Sequence, residues 1–319
     1  MFQRFITFPA RHLIVIVPVT ILLALIIGLR IDTSPMRRLI LPVAILMVYP
    51  AMIGLQLSEL LHLRERGLIA ANLILNFLIL PAAAWGIGRL VLADQPELRT
   101  GLLLISLIPG GNMVVAFTML FQGNMAASLK LTAINLILGG LLAPPFLSLL
   151  AGSLVPVDLG RIARTVLLVV VVPLVMGLIT HRILLARYGK RTFTRRIKPC
   201  LPGISGWGLI YIVFTSVSGQ AAHIFAYPEL LVRSLLALAL FYLLIFALCL
   251  PMGRLWFNRR DGITLLLNIL LRNLAIAIAL AGTVFSSRTA MQVALAFLFQ
   301  QQLAIWFNRF ENRFHLLGL

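Results

Sequence analysis

Residues 101–122 read GLLLISLIPGGNMVVAFTMLFQ, and residues 262–285 read GITLLLNILLRNLAIAIALAGTVF. Each is an apolar run of roughly the 20 residues that cross a bilayer core, and each is interrupted near its middle. In the first, Pro109-Gly110-Gly111-Asn112 removes one backbone donor and weakens the helix further with two glycines. In the second, Arg272-Asn273 stands at a matching depth. An arginine at mid-bilayer costs about 3 kcal/mol even on insertion scales, and such residues face a bundle interior or a cavity. The two interruptions lie 163 residues apart in a chain of 319. Paired interruptions in corresponding spans point to a carrier's binding site. Restarted half-helices present free N–H groups and partial positive charge, which favour an anionic ligand.

The rest of the chain agrees with a membrane setting. It is 61% hydrophobic and 11% charged, with a mean hydropathy of +1.04, whereas soluble domains carry about 25% charged residues. Ten apolar segments emerge, at about 13–29, 39–56, 67–92, 100–121, 125–149, 163–185, 203–222, 230–252, 262–285 and 289–308. Connectors such as Thr33-Ser34-Pro35, Asp94-Gln95-Pro96, Pro156-Val157-Asp158 and Tyr227-Pro228-Glu229 separate them. No A-x-A-like cleavage site follows the first run, so Leu13 to Leu29 is expected to be a retained span.

The net charge of +18 raises the question of nucleic acid. The basic residues sit in short connectors, however, and read as topology signals. Sixteen Lys and Arg fall on the side of both termini and nine on the other, with Lys130 and Arg272 inside spans. Both termini are therefore expected in the cytoplasm, in the inner (plasma) membrane. Lys130 lies close enough to a span end to snorkel to the interface. Cys200 and Cys249 lack metal-ligand spacing. No H-E-x-x-H or G-x-S-x-G occurs, so an enzyme is not expected. No cofactor is expected either. A pore remains an alternative to a carrier, because broken helices also build channels.

These residues resemble the bile acid:sodium symporter family and its relative, the arsenite-efflux permeases. The carriers of the resemblance are Pro109-Gly110-Gly111, Thr118, Gly123-Asn124, Ser128, Thr132 and Pro144, with the run from Arg272 to Ala277. The resemblance implies an all-α polytopic protein of ten transmembrane helices. It also implies a 5+5 inverted repeat with broken, crossing helices 4 and 9. The chain would be one transporter unit over 1–319, with repeat one at about 13–150 and repeat two at about 160–308. Substrate would lie near Pro109, Gly110, Gly111, Asn112, Arg272 and Asn273.

The resemblance places candidate ion-site residues at Asn76, Ser128, Thr132 and Asn268. Where the family has a Ser-Asn pair, a glutamate and a glutamine, this chain has Val114-Val115, Asn268 and Arg272. The exchange removes one negative charge and adds one positive. A buried cationic neighbour repels sodium, so the guanidinium is expected either to meet the substrate's anionic group or to take the role of one coupling cation. The expected cargo is a small organic anion moved by alternating access. Arsenite efflux is the alternative, although Gly110 stands where those permeases carry a cysteine. The sequence leaves the oligomeric state open.

Overall fold

The computed structural model describes residues 2–53, 65–110, 113–152, 159–197 and 200–318. The expected substrate residues Gly111 and Asn112, and the connector Pro156-Val157-Asp158, lie outside the described residues. Among the described residues every regular element is a helix.

Helix α1 spans Phe2–Gly28 and α2 Ile40–Ile53; α3 (Arg66–Ile74) runs through a π turn at Leu75–Ile79 into α4 (Leu80–Val91). Next come α5 (Pro96–Leu107), α6 (Met113–Leu120) and α7 (Met125–Ala151). Helix α8 (Leu159–Val166) continues through a second π turn at Leu167–Val171 into α9 (Val172–Thr192). The chain closes with α10 (Leu201–Ser218), α11 (Ala221–Ala226), α12 (Pro228–Trp256), α13 (Arg259–Leu270), α14 (Leu274–Val284) and α15 (Ser287–Phe314). Each of these two π turns ends two residues before a proline, Pro81 and Pro173. A proline cannot donate to the carbonyl one turn back, so the helix widens there instead of closing.

Seven helical stretches among the described residues are long and apolar enough to cross a membrane. The fourth expected span is not among them, because its break leaves helices of 12 and 8 residues. The ninth counts as one apolar stretch, Arg259–Val284, yet opens between α13 and α14.

The chain divides into two compact units. The first contains Met1–Leu55, Asp158–Pro228 and Ala275–Ala294. In it α1 packs on α10, α10 on α2, and α2 on α9. The helices approach closely because glycines face them: a Cβ on Gly177 would lie 2.6 Å from Met52 Cβ, and one on Gly208 2.8 Å from Met47 Cβ. Small residues at such contacts are how helices pack in lipid, where no hydrophobic force drives them together. Hydrogen bonds add to the packing, such as Tyr49 Oη to Thr180 Oγ1 at 2.7 Å and Ser205 Oγ to the Met47 carbonyl at 2.6 Å.

The second unit contains Gln56–Val157, Glu229–Leu274 and Leu295–Leu319. Helix α7 is its centre, contacted by α3, α5, α6 and α13. Two asparagines start its helices: Asn124 Oδ1 accepts from the Ala127 N–H above α7, and Asn258 Oδ1 from the Asp261 N–H above α13. The two starts are also joined. Asn124 Nδ2 donates to Asp261 Oδ1 at 2.7 Å, and the Asn124 N–H donates to Thr264 Oγ1 at 2.8 Å. The turn between α6 and α7 is thereby fastened to the start of α13. Both interrupted runs have their first half-helix in this unit.

Candidate functional site

Helix α5 ends at Leu107 and α13 at Leu270. The last carbonyls of a helix have no partner within it and carry about half a negative charge. In this chain one side chain meets both ends. Arg272 Nε donates to the Ile105 carbonyl at 2.9 Å, and Nη2 donates to the Ser106 carbonyl. Nη1 donates to Asn76 Oδ1 and, at 3.3 Å, to the Ile269 carbonyl. Arginine is only 1% exposed here, and among the described residues no carboxylate pairs with it. Two half-helix ends of about −0.5 each balance one guanidinium. The planar fork suits this role, since it spans several oxygens at once.

The main chain ties the same two breaks together, with the Asn273 N–H donating to the Ile108 carbonyl at 2.9 Å. Asn273 is buried, and α14 begins at the next residue. On the other side Gly110 has φ +68, in the left-handed region. A Cβ there would lie 3.0 Å from Asn135 Cβ. Glycine is required both by the backbone conformation and by the approach of α7. Pro109 rests against Gly139, where a Cβ would lie 3.0 Å from Pro109 Cδ.

Three fully buried asparagines back the guanidinium. Asn72 Nδ2 donates to Asn135 Oδ1 at 2.6 Å, and Asn135 Nδ2 donates back to Asn72 Oδ1 at 3.3 Å. Asn76, on the π turn, donates to Asn72 Oδ1 at 3.1 Å. Its own oxygen is left for Arg272. Asn76 therefore carries the polarisation of the guanidinium into the amide pair, and from there to the wall of the α5–α6 break. Chains of this kind strengthen each member.

The other candidate ion-site residues are Ser128, Thr132 and Asn268, and Thr132 lies beside Gly110 at the first break. Ser128 Oγ lies 3.0 Å from Thr118 Oγ1, while Asn268 Nδ2 donates to the Thr264 carbonyl at 3.0 Å. Thr132 Oγ1 and Asn268 Oδ1 are buried without a hydrogen bond among the described residues. Val114, where a sodium ligand would stand in the resembled family, is buried and supplies only methyl groups.

Lys130 is buried, and its ammonium pairs at 2.8 Å with Glu65, just before α3, a partner that the sequence did not name. The Glu65 carboxylate was hidden from the sequence as a partner because it lies 65 residues away. Asn72 was likewise missed, having only a lone polar letter in an apolar run as its signal. The carbonyls of Ile105 and Ser106 have no sequence signal at all.

Two interrupted helices, fastened to each other inside an apolar bundle, define a polytopic helical membrane protein with its backbone opened at a buried polar centre. Residues 41–227 match the Sodium Bile acid symporter family, and the chain belongs to that family of membrane transporters. It is 28% identical over 252 residues to the uncharacterized protein YbaS of Bacillus subtilis (strain 168), covering 78% of this chain and 80% of YbaS. It is 31% identical over 162 residues to the probable sodium/metabolite cotransporter BASS2, chloroplastic, of Oryza sativa subsp. japonica, covering 51% of this chain and 37% of that protein. It is 26% identical over 241 residues to the arsenical-resistance protein Acr3 of Corynebacterium glutamicum, covering 72% and 65%.

Proposed function

We propose that the chain is a secondary transporter that moves a small organic anion by alternating access, with Arg272 as a permanent internal cation in place of a coupling sodium. The observation that carries this reading is the guanidinium's setting: four neutral oxygens, two helix ends and no carboxylate among the described residues. That is the ligand chemistry of a monovalent cation site, filled by a side chain that cannot leave. Its donors are committed to the protein, so anion attraction falls to the restarted helices after Pro109-Gly110 and Arg272-Asn273. Substrate-binding residues in this reading are Pro109, Gly110, Gly111, Asn112 and Asn273, with Arg272 holding the breaks open.

The arrangement goes with a ten-span 5+5 inverted repeat, repeat one at about 13–150 and repeat two at about 160–308. It would lie in the inner membrane with both termini cytoplasmic, as the excess of basic connectors on that side supports. Metalloid efflux, suggested by the likeness to Acr3, is disfavoured. Gly110 supplies no thiol, and Cys249 is wholly buried on α12.

The test is uptake into proteoliposomes of labelled mono- and dicarboxylates, with an inward sodium gradient or with N-methylglucamine in its place. Saturable uptake of equal rate in both conditions is expected. Strong stimulation by the sodium gradient overturns the internal-cation reading, and electrical recordings with steady unitary currents overturn the carrier reading.

A further inference from the structure

The longest basic connector of the chain belongs to the first unit. Residues 182–198 hold seven Lys and Arg and no Asp or Glu. They follow the apolar stretch Gly160–Gly189, whose 30 residues span about 45 Å at 1.5 Å per residue. The hydrocarbon core is about 30 Å thick, so the last turns of α9 stand at headgroup level. Arg182 and Arg187 are exposed on those turns, and so are Ile179, Ile183 and Tyr188.

The chain then turns back. Gly189 has φ 73 and ψ 158, a backbone that L residues rarely adopt, and a Cβ there would meet nothing within 4 Å. The turn needs glycine for its conformation, not for space. Beyond it the π turn Phe193–Ile197 packs against α9. The Phe193 ring meets His181 edge-on at 4.8 Å, and His181 Nδ1 lies 2.8 Å from the Ile53 carbonyl. Phe193 and Ile197 join an apolar cluster with Ile53, Leu201 and Leu184. Arg191, Thr194 and Arg195 remain exposed. The segment is thus a small amphipathic hairpin, anchored by its apolar side. Among the described residues no carboxylate meets Arg182, Arg187, Arg191 or Arg195.

We propose that this hairpin is a binding site for anionic phospholipid headgroups, with Arg187, Arg191 and Arg195 facing the phosphates and Ile179 and Ile183 meeting the acyl chains. A lipid offers both chemistries within one molecule at the depth where they occur here. A nucleic acid would leave the exposed isoleucines without partners. The proposal does not rest on the transport reading.

The test uses the full chain in mild detergent, titrated with phosphatidylglycerol or phosphatidylcholine while thermal unfolding is followed. The wild type is expected to be stabilised by phosphatidylglycerol well above phosphatidylcholine. Each basic residue near an anionic surface contributes about 1 kcal/mol, so the double substitution Arg191→Gln and Arg195→Gln should weaken phosphatidylglycerol about 25-fold. Gly189→Ala keeps every positive charge and disturbs the turn; it too should lose most of the preference, with helical content unchanged by circular dichroism. Equal stabilisation by the two lipids, or a double variant within threefold of wild type, overturns the proposal. So does tighter binding of a duplex oligonucleotide than of phosphatidylglycerol.

Discussion

Replacing Arg272 by Gln removes the charge but keeps a polar side chain of moderate length. The carbonyls of Ile105, Ser106 and Ile269 and the oxygen of Asn76 then lose their donor. Each unsatisfied buried acceptor costs about 1–3 kcal/mol, and the two helix ends regain an unbalanced charge of about −1. Allowing for relaxation, a loss of about 3–5 kcal/mol is expected without a replacement cation, as for other buried charges stripped of a partner. The vacated oxygens are the ligands a sodium ion uses. At 100 mM sodium, a site of about 1 mM affinity would restore about 2.7 kcal/mol. The assay is thermal unfolding of purified Arg272→Gln in sodium chloride against N-methylglucamine chloride at equal ionic strength, beside the wild type. Sodium should stabilise the variant and leave the wild type unmoved. A variant as stable as wild type without sodium, or sodium stabilising the wild type and not the variant, would refute the reasoning.

Gly110→Ala places a methyl group on a backbone with φ +68 and 3.0 Å from Asn135 Cβ; a destabilisation of about 2 kcal/mol and reduced uptake are expected, read by thermal unfolding and proteoliposome flux. Asn135→Leu strands the amides of Asn72 and Asn76 and should cost about 2–4 kcal/mol, whereas Asn135→Asp, which adds a carboxylate near the guanidinium's chain, should slow transport more than it lowers stability. Lys130→Met leaves Glu65 without its partner and should cost about 2 kcal/mol, a figure reduced because Glu65 is one-fifth exposed; pairing it with Glu65→Gln should recover most of the loss. Arg233 holds the Asp94 carboxyl below its ordinary value. Its folded pKa is depressed, so its contribution is present above about pH 4 and lost as pH falls through the folded value. Asp94→Asn should therefore leave the unfolding profile between pH 5 and 8 unchanged in shape, and differ from wild type in slope only in acid.

The breaks were legible because proline, glycine and a lone arginine contradict their apolar surroundings, and the structure opens the backbone at Pro109-Gly110 and at Arg272. The helical class was legible for the same reason, from uninterrupted apolar length elsewhere. What Arg272 touches was not. Its partners are mostly main-chain oxygens, and a carbonyl is written identically at every position in a sequence. Asn72 and Asn135 are 63 residues apart, and only the packing of α3 on α7 brings them together. Lys130 was read from the general habit of long basic side chains near span ends, and its pairing with the distant Glu65 was not legible. The clamp of Asn124 on Asp261 was hidden for the same reason, since both residues look like ordinary caps.

The bond from Arg272 to Ile105 joins residues 167 apart in the chain. At a synthesis rate of 5–20 residues per second, roughly 8–33 s separate the emergence of the two partners. Throughout that interval the nascent α5 end enters the membrane with its carbonyls awaiting a donor that has not been made. Water, or the neighbouring asparagines, must accompany it until then. The centre of the protein is thus assembled late, and insertion of the first half has to tolerate an open backbone before the second half arrives to close it.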